Sequence, residues 1–137
     1  MDVRAAVIRD GKILLVKEIS DGKWSMPGGW ADVGDMPAEA AEREAKEESG
    51  FDVKAVKIVG VFDANRNGRP LIFYHAVKLV YLCEIISGNA TVSDETSEVN
   101  FFDFDHLPEL SQNRTNMKHI SEIRKHLLNH ERATYFE

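Results

Sequence analysis

The sequence predicts an α/β fold in which a mixed β-sheet lies between helices, and three observations carry this. Two β-rich runs, 3–8 and 12–17, are joined by Asp10-Gly11, a dipeptide suited to a two-residue hairpin turn. A helical segment, Pro37–Ser49, is bracketed by a proline fit for a first turn and by Gly50 just past its end. A second helical segment, Met117–Leu128, places Ile120, Ile123, Leu127 and Leu128 near helical spacing. The alternation of strands and helices along the chain favours a sheet packed between helices.

The remaining elements follow in order. Ser20-Asp21-Gly22-Lys23 reads as a second turn. The run Trp24-Ser25-Met26-Pro27-Gly28-Gly29-Trp30 cannot be helical, because proline and two glycines break it. Asp35 or Met36 must cap the first helix, and Met36 is a poor cap. Residues 51–61 alternate as a strand, 65–70 form a polar loop, and 71–86 read as a long central strand. Ser87-Gly88-Asn89 turns the chain, and 99–104 is a short strand.

Composition bounds the function. The 137 residues suit one domain spanning 1–137. Hydrophobic residues at 43% and charged residues at 29% are ordinary for a folded soluble chain. The longest apolar stretch, around 76–86, is broken by Lys78 and Glu84 and falls short of a membrane span. The first residues form no signal peptide, so a cytoplasmic protein with no membrane association is expected. Cys83 is the single cysteine, which excludes an internal disulfide and any cysteine-rich zinc site. It reads as a small buried hydrophobe. A net charge of −6 makes nucleic acid an unlikely partner. It leaves room for a phosphate-bearing substrate where a divalent metal neutralises the site.

The chemistry concentrates in Arg43-Glu44-Ala45-Lys46-Glu47-Glu48. Glu44, Glu47 and Glu48, at i, i+3 and i+4, share one helical face. Ala38, Ala41 and Ala45 form a small-residue stripe beside it. Such a charged face is usually just solvated. Here a glycine-rich segment precedes it and Gly50-Phe51 follows. Three like charges repel, and a hard divalent cation relieves that repulsion through carboxylate oxygens. Arg43, one turn before Glu47, is placed to orient Glu47 by ion pairing.

Gly29, five residues, Asp35, seven residues, then Arg43-Glu44-Ala45-Lys46-Glu47-Glu48-Ser49-Gly50-Phe51 resembles the signature of the Nudix hydrolases over 23 residues. The strand order agrees with that family's fold, a Nudix-type α/β/α sandwich. One position departs: Asp35 stands where the family usually has Glu. The resemblance implies that Glu44, Glu47 and Glu48 bind Mg²⁺ or Mn²⁺, with the Gly29 carbonyl as a further ligand. It also implies that water attacks phosphorus in a nucleoside diphosphate linked to another moiety. The base is left open between Glu98 and Glu95 in the acidic segment 94–98 and Glu47 on the helix. Arg43 and Glu47 complete the expected catalytic set with Glu98.

Further stretches resemble the CDP-choline pyrophosphatase-like branch of the family, which includes relatives of ADP-ribose pyrophosphatases. They are 24–34, 61–63, 82–88, 95–102, 107–111 and Arg114. Members of that branch commonly carry an extra N-terminal segment, and this chain is read as starting almost at the first strand, without it. CDP-choline, cleaved to CMP and phosphocholine, is the first expected substrate. ADP-ribose or an ADP-sugar is the second, and a non-catalytic nucleotide sensor is the rival from another class. Phe62, Phe73 and Tyr74 are candidates for a base pocket, as is Trp30 for stacking, with core packing the alternative for each. Asp63 is a candidate for a polar contact with base or headgroup. Arg66 and Arg69 are candidates for phosphate. A small-molecule nucleotide partner is expected, and a homodimer is left open.

Overall fold

The computed structural model describes residues 1–63 and 76–137. The chain opens with β1 (Asp2–Arg9) and β2 (Lys12–Glu18), antiparallel, with Ile8 opposite Ile13. Asp10 and Gly11 both take positive φ, 52° and 75°, the backbone a tight hairpin demands. Two short strands follow, β3 (Trp24–Ser25) on β2 and β4 (Gly28–Trp30) on β1. Next come α1 (Pro37–Ser49), β5 (Phe51–Asp63), β6 (Val77–Gly88), β7 (Thr96–Phe102), α2 (Met117–Leu128) and β8 (Tyr135–Phe136). The sheet runs β3-β2-β1-β6-β5-β8, with β4 attached to β1 and β7 to β2. It is mixed: β1 with β6 and β5 with β8 are parallel, and the other pairs are antiparallel.

The two helices cover opposite faces. Successive side chains of β1 alternate between them, as strand geometry requires. Val3 packs with Ala40 and Ala41 of α1, and Ala5 and Val7 with Ala45. Ala6 faces the other way, into a core with Val59, Val80 and the α2 residues Ile120 and Ile123. A strand buried on both faces reads as a continuous apolar run, which is what 5–8 shows, with Arg4 before it turned toward the cleft. Alanines on the inner side of α1 let that helix approach the sheet closely. Ala40 joins Ala41 and Ala45 there, while Ala38 is only half-buried.

Helix ends behave as their sequences dictate. Met36 occupies the N-cap of α1 and provides no side-chain bond, while Pro37 at the first turn needs none. Gly50 closes the helix at φ 86°, where a Cβ would sit 2.2 Å from the Asn89 carbonyl oxygen. At α2, the Asn116 side chain accepts from the Lys118 and His119 backbone N–H groups, and the Asn116 N–H donates to His119 Nδ1.

Residues 24–30, read from the sequence only as non-helical, contribute β3 and β4. One expectation changes. The strand expected at 99–104, β7, runs Thr96–Phe102, so Glu98 lies in β7 and not in a loop. The central strand is described from Val77, and its expected start at 71 falls outside the described residues, as do Arg66, Arg69, Phe73 and Tyr74.

Candidate active site

Close backbone packing positions the site. Gly28 lies opposite Arg4 where β4 pairs with β1. A Cβ at Gly28 would stand 2.0 Å from the Val3 carbonyl oxygen and 2.7 Å from Arg4 Cδ, so only glycine lets the two strands meet. That approach brings the Gly28 N–H to Glu48 Oε2 at 2.8 Å. Gly29 follows against Glu44: a Cβ there would lie 3.7 Å from Glu44 Oε2. The glycine pair and the acidic helix face are therefore two sides of one wall.

The three glutamates differ in environment. Glu48 is buried at 2% exposure, Glu44 is half-buried and Glu47 is exposed. Burial pushes the Glu48 carboxyl up to about 9, against the Arg4 guanidinium and the Gly28 N–H, which favour its ionised form. Burial also raises Glu44, which hydrogen-bonds Glu48 and feels the charge of Glu47. All three line a cleft of about 1110 Å³.

The cleft has other walls that the sequence reading did not assemble. Arg4 and Asp2 of β1 lie beneath it, with Arg4 Nε donating to Asp2 Oδ1 at 3.1 Å and Arg4 Nη1 to the Met26 carbonyl at 2.9 Å. Lys78, 2% exposed, pairs with Asp2 at 3.4 Å and donates to the carbonyls of Asn113 and Arg114. It thus ties the 111–115 turn to the central strand. Glu18 and Arg114 face one another at 3.1 Å on the far side. Trp30 and Ile19, both more than half exposed, supply apolar surface to the lining. Trp30 is already a stacking candidate from the sequence and Arg114 part of the branch resemblance, whereas no local motif marks Asp2, Arg4, Glu18, Ile19 or Lys78.

Each expected residue among those described has a definite place. Glu44, Glu47, Glu48 and Gly29 come together in the cleft. Arg43 does not pair with Glu47. Its guanidinium grips Asp35, at 3.0 and 3.3 Å, and Asp35 also accepts the Asp32 N–H. The shorter aspartate arm reaches because its loop folds back onto the helix. Glu98 is not in the cleft lining: strand alternation turns it to Lys17 of β2, at 3.2 Å, with its side chain largely exposed. Glu95, three residues before it in loop 89–95, does line the cleft. Phe62 is not a pocket residue; it is 2% exposed and packs edge-on to His119 with centroids 4.6 Å apart. Asp63 ends β5, its N–H bonded to Glu137 Oε1 at 2.8 Å, outside the cleft lining. Cys83 is buried in the core on the α1 face, and burial pushes its thiol up to about 12.

The donor set suits a hard divalent cation. Adjacent carboxylates that burial drives toward protonation would exchange a shared proton for a metal ion readily. Among the described residues no three acidic, histidine or cysteine side chains already converge as a cage. The fit rests on the oxygen chemistry and adjacency of Glu44, Glu47 and Glu48.

Comparison with known proteins decides the family. The model of the NUDIX domain matches residues 1–122. The chain belongs to this family. A Bacillus subtilis (strain 168) protein, YjhB, provisionally named an ADP-ribose pyrophosphatase, is 37% identical over 136 residues, 99% of this chain. The chain spans 65% of that relative's length. The crystal structure of a UDP-X diphosphatase superposes with a TM-score of 0.90 at 34% identity, covering 100% of this chain and 66% of that one. An ADP-ribose pyrophosphatase from Streptococcus suis 89-1591 superposes with a TM-score of 0.88 at 34% identity, covering 99% and 97%. The NUDIX fold of the chain, a mixed sheet between two helices, matches these structures.

Proposed function

We propose that the chain is a divalent-metal-dependent pyrophosphohydrolase acting on a nucleoside diphosphate linked to a second moiety, with ADP-ribose as its leading substrate. One observation carries the reading: three glutamates on one face of α1 meet the Gly28-Gly29 backbone in a single cleft. The relatives' names support ADP-ribose over CDP-choline, and the UDP-X name supports the wider class.

Glu44, Glu47 and Glu48, with the Gly29 carbonyl, would hold Mg²⁺ or Mn²⁺. When bound, the cation neutralises phosphate charge and lowers the pKa of a water. The chain's own residues do the rest. The Gly28 N–H fixes Glu48 in orientation. Arg43 and Asp35 brace the loop leading into the helix. In this reading Glu95, which lines the cleft, takes a proton from the attacking water, with Glu47 the helix alternative. The pairing of Glu98 with Lys17, outside the cleft lining, supports Glu95 over Glu98.

The test is to incubate purified protein and Mg²⁺ with ADP-ribose, CDP-choline and a UDP-sugar and resolve the products. ADP-ribose should give AMP and ribose phosphate with the highest kcat/KM, and excess chelator should abolish turnover. Preference for CDP-choline would reverse the substrate assignment. Tight nucleotide binding with no cleavage of any of the three would make the chain a sensor.

A further inference from the structure

Glu18 is a carboxylate in the cleft for which the proposed hydrolysis has no use so far. It is 7% exposed, yet it lies in the cleft lining and not in the apolar core. The pairing of β2 with β7 slips beside it: Lys17 lies opposite Glu98 and Glu18 opposite Thr96, which leaves Ser97 of β7 as the extra residue. Strand alternation turns Lys17 outward with Glu98 and Glu18 into the cleft. Its Oε1 meets Arg114 Nε at 3.1 Å.

Arg114 is itself fastened. Its Nη1 reaches Asp21 at 3.2 Å and Ser111 Oγ at 2.8 Å, and its Nη2 reaches Ser20 Oγ at 3.2 Å. The guanidinium already has an acidic partner in Asp21, so Glu18 is not needed to neutralise it. The arrangement works in the other direction: a clamped arginine holds a carboxylate still in a ligand-sized cleft. Guanidinium donors spent on protein partners are poorly placed to grip phosphate. A fixed carboxylate repels phosphate and accepts from O–H and N–H donors.

We propose that Glu18, positioned by Arg114, accepts a hydrogen bond from a hydroxyl of the substrate's nucleoside ribose and so selects ribonucleotides. This rests on the pyrophosphohydrolase reading. In that class the ribose is shared whichever base is present, so an acceptor for its hydroxyls serves an adenine and a uracil nucleotide alike. Arg114 is a positioning residue and touches the substrate only through Glu18.

The experiment compares ADP-ribose with its analogues lacking the 2′- or the 3′-hydroxyl of the adenosine ribose. It uses wild type, Glu18→Ala, Glu18→Gln and Arg114→Lys. Turnover is measured with Mg²⁺, and binding is measured by calorimetry in parallel. Wild type should favour ADP-ribose over one of the analogues by about tenfold or more, the worth of a hydrogen bond to a charged acceptor. In Glu18→Ala that preference should collapse through KM, with kcat and the Mg²⁺ dependence unchanged. Glu18→Gln keeps the volume and one acceptor oxygen and should retain part of the preference. Arg114→Lys should weaken it, and adding Arg114→Lys to Glu18→Ala should cause no further loss. The proposal is overturned if wild type handles all three substrates alike, or if the variants slow them equally. A shift in the Mg²⁺ requirement of Glu18→Gln would overturn it too, making Glu18 a cation ligand. Should Glu18→Ala not fold, the wild-type and Glu18→Gln comparisons decide. Binding without cleavage would sink the hydrolase reading, while the binding preference would still test Glu18.

Discussion

The buried acid at Glu48 makes the metal-free protein lose stability as pH rises. Its carboxyl, ordinarily near 4.5, is pushed up to about 9 by burial. Between those values the folded chain keeps a proton that the unfolded chain has released. The folded state therefore binds more protons, and stability falls with pH at about 1.4 kcal/mol per unit for one proton. His119 works in the opposite sense. Burial lowers it from 6.5 to about 3, so its contribution grows with pH and is complete above about 6.5. A window from roughly pH 7 to 8.5 isolates the acid, and over it wild type should lose about 2 kcal/mol. Glu48→Gln keeps the size of the side chain and an acceptor for the Gly28 N–H but has no proton to lose. Urea unfolding of both proteins in chelator, at several pH values in that window, reads the difference. Titrating groups remote from Glu48 are common to the two proteins and cancel, while Glu44, which hydrogen-bonds Glu48, titrates with it, so the difference reads the pair. Adding Mg²⁺ should flatten the wild-type slope, because a cation then takes the place of the proton. Parallel slopes for wild type and Glu48→Gln in chelator would refute the reasoning, as would a wild type that gains stability over the same range.

Two further outcomes are expected. Glu95→Gln should lower kcat by on the order of 10²–10⁴ while Mg²⁺ affinity is kept, and Glu98→Gln should leave turnover at the wild-type level; steady-state kinetics with Mg²⁺ titration separates the two. Gly28→Ala should destabilise the fold by about 1–3 kcal/mol or more, because its Cβ would collide with the Val3 carbonyl; a urea midpoint equal to wild type would show that the strand pair tolerates it.

The helices and the acidic face were readable from the sequence because each has a local cause. Pro37 and Gly50 bound α1 by fixing backbone angles, and the spacing of Glu44, Glu47 and Glu48 forces them onto one side. The hairpin was legible for the same reason, through Asp10 and Gly11. Two-residue strands such as β3 and β8 carry no periodicity, so nothing local announces them. The choice between Glu95 and Glu98 turned on where β7 begins, since strand parity sends Glu98 toward Lys17. Phe62 shows the limit of residue type as a guide: an aromatic side chain suits a base pocket and a core equally, and its neighbours His119 and Tyr135 come from distant chain. Arg43 had two acidic partners within reach along the sequence, and the fold of the 32–35 loop selected Asp35. The wall formed by Asp2, Arg4, Glu18 and Arg114 draws on three separate segments, so only the assembled sheet brings it together.

The end of α1 is fastened to the chain that carries Glu95. Thr91 donates its N–H to the Ser49 carbonyl at 2.8 Å, and the Thr96 hydroxyl, on a residue 1% exposed, donates to the Glu48 carbonyl at 2.9 Å. Glu48 therefore offers its side chain to the cleft and its backbone to the neighbouring loop. The acidic helix and the acidic loop are welded into one jaw, and their spacing is inherited from the main chain rather than set by flexible side chains. A jaw of this kind cannot drift when a substrate changes at its far end. The opposite jaw, hung from Lys78 on the carbonyls of Asn113 and Arg114, is bonded to the same frame: the Ile19 N–H donates to the Glu95 carbonyl at 3.0 Å and the Met26 N–H to Thr115 Oγ1 at 2.9 Å. A side-chain exchange on that jaw that spares these bonds leaves the spacing of the acidic jaw as it stands.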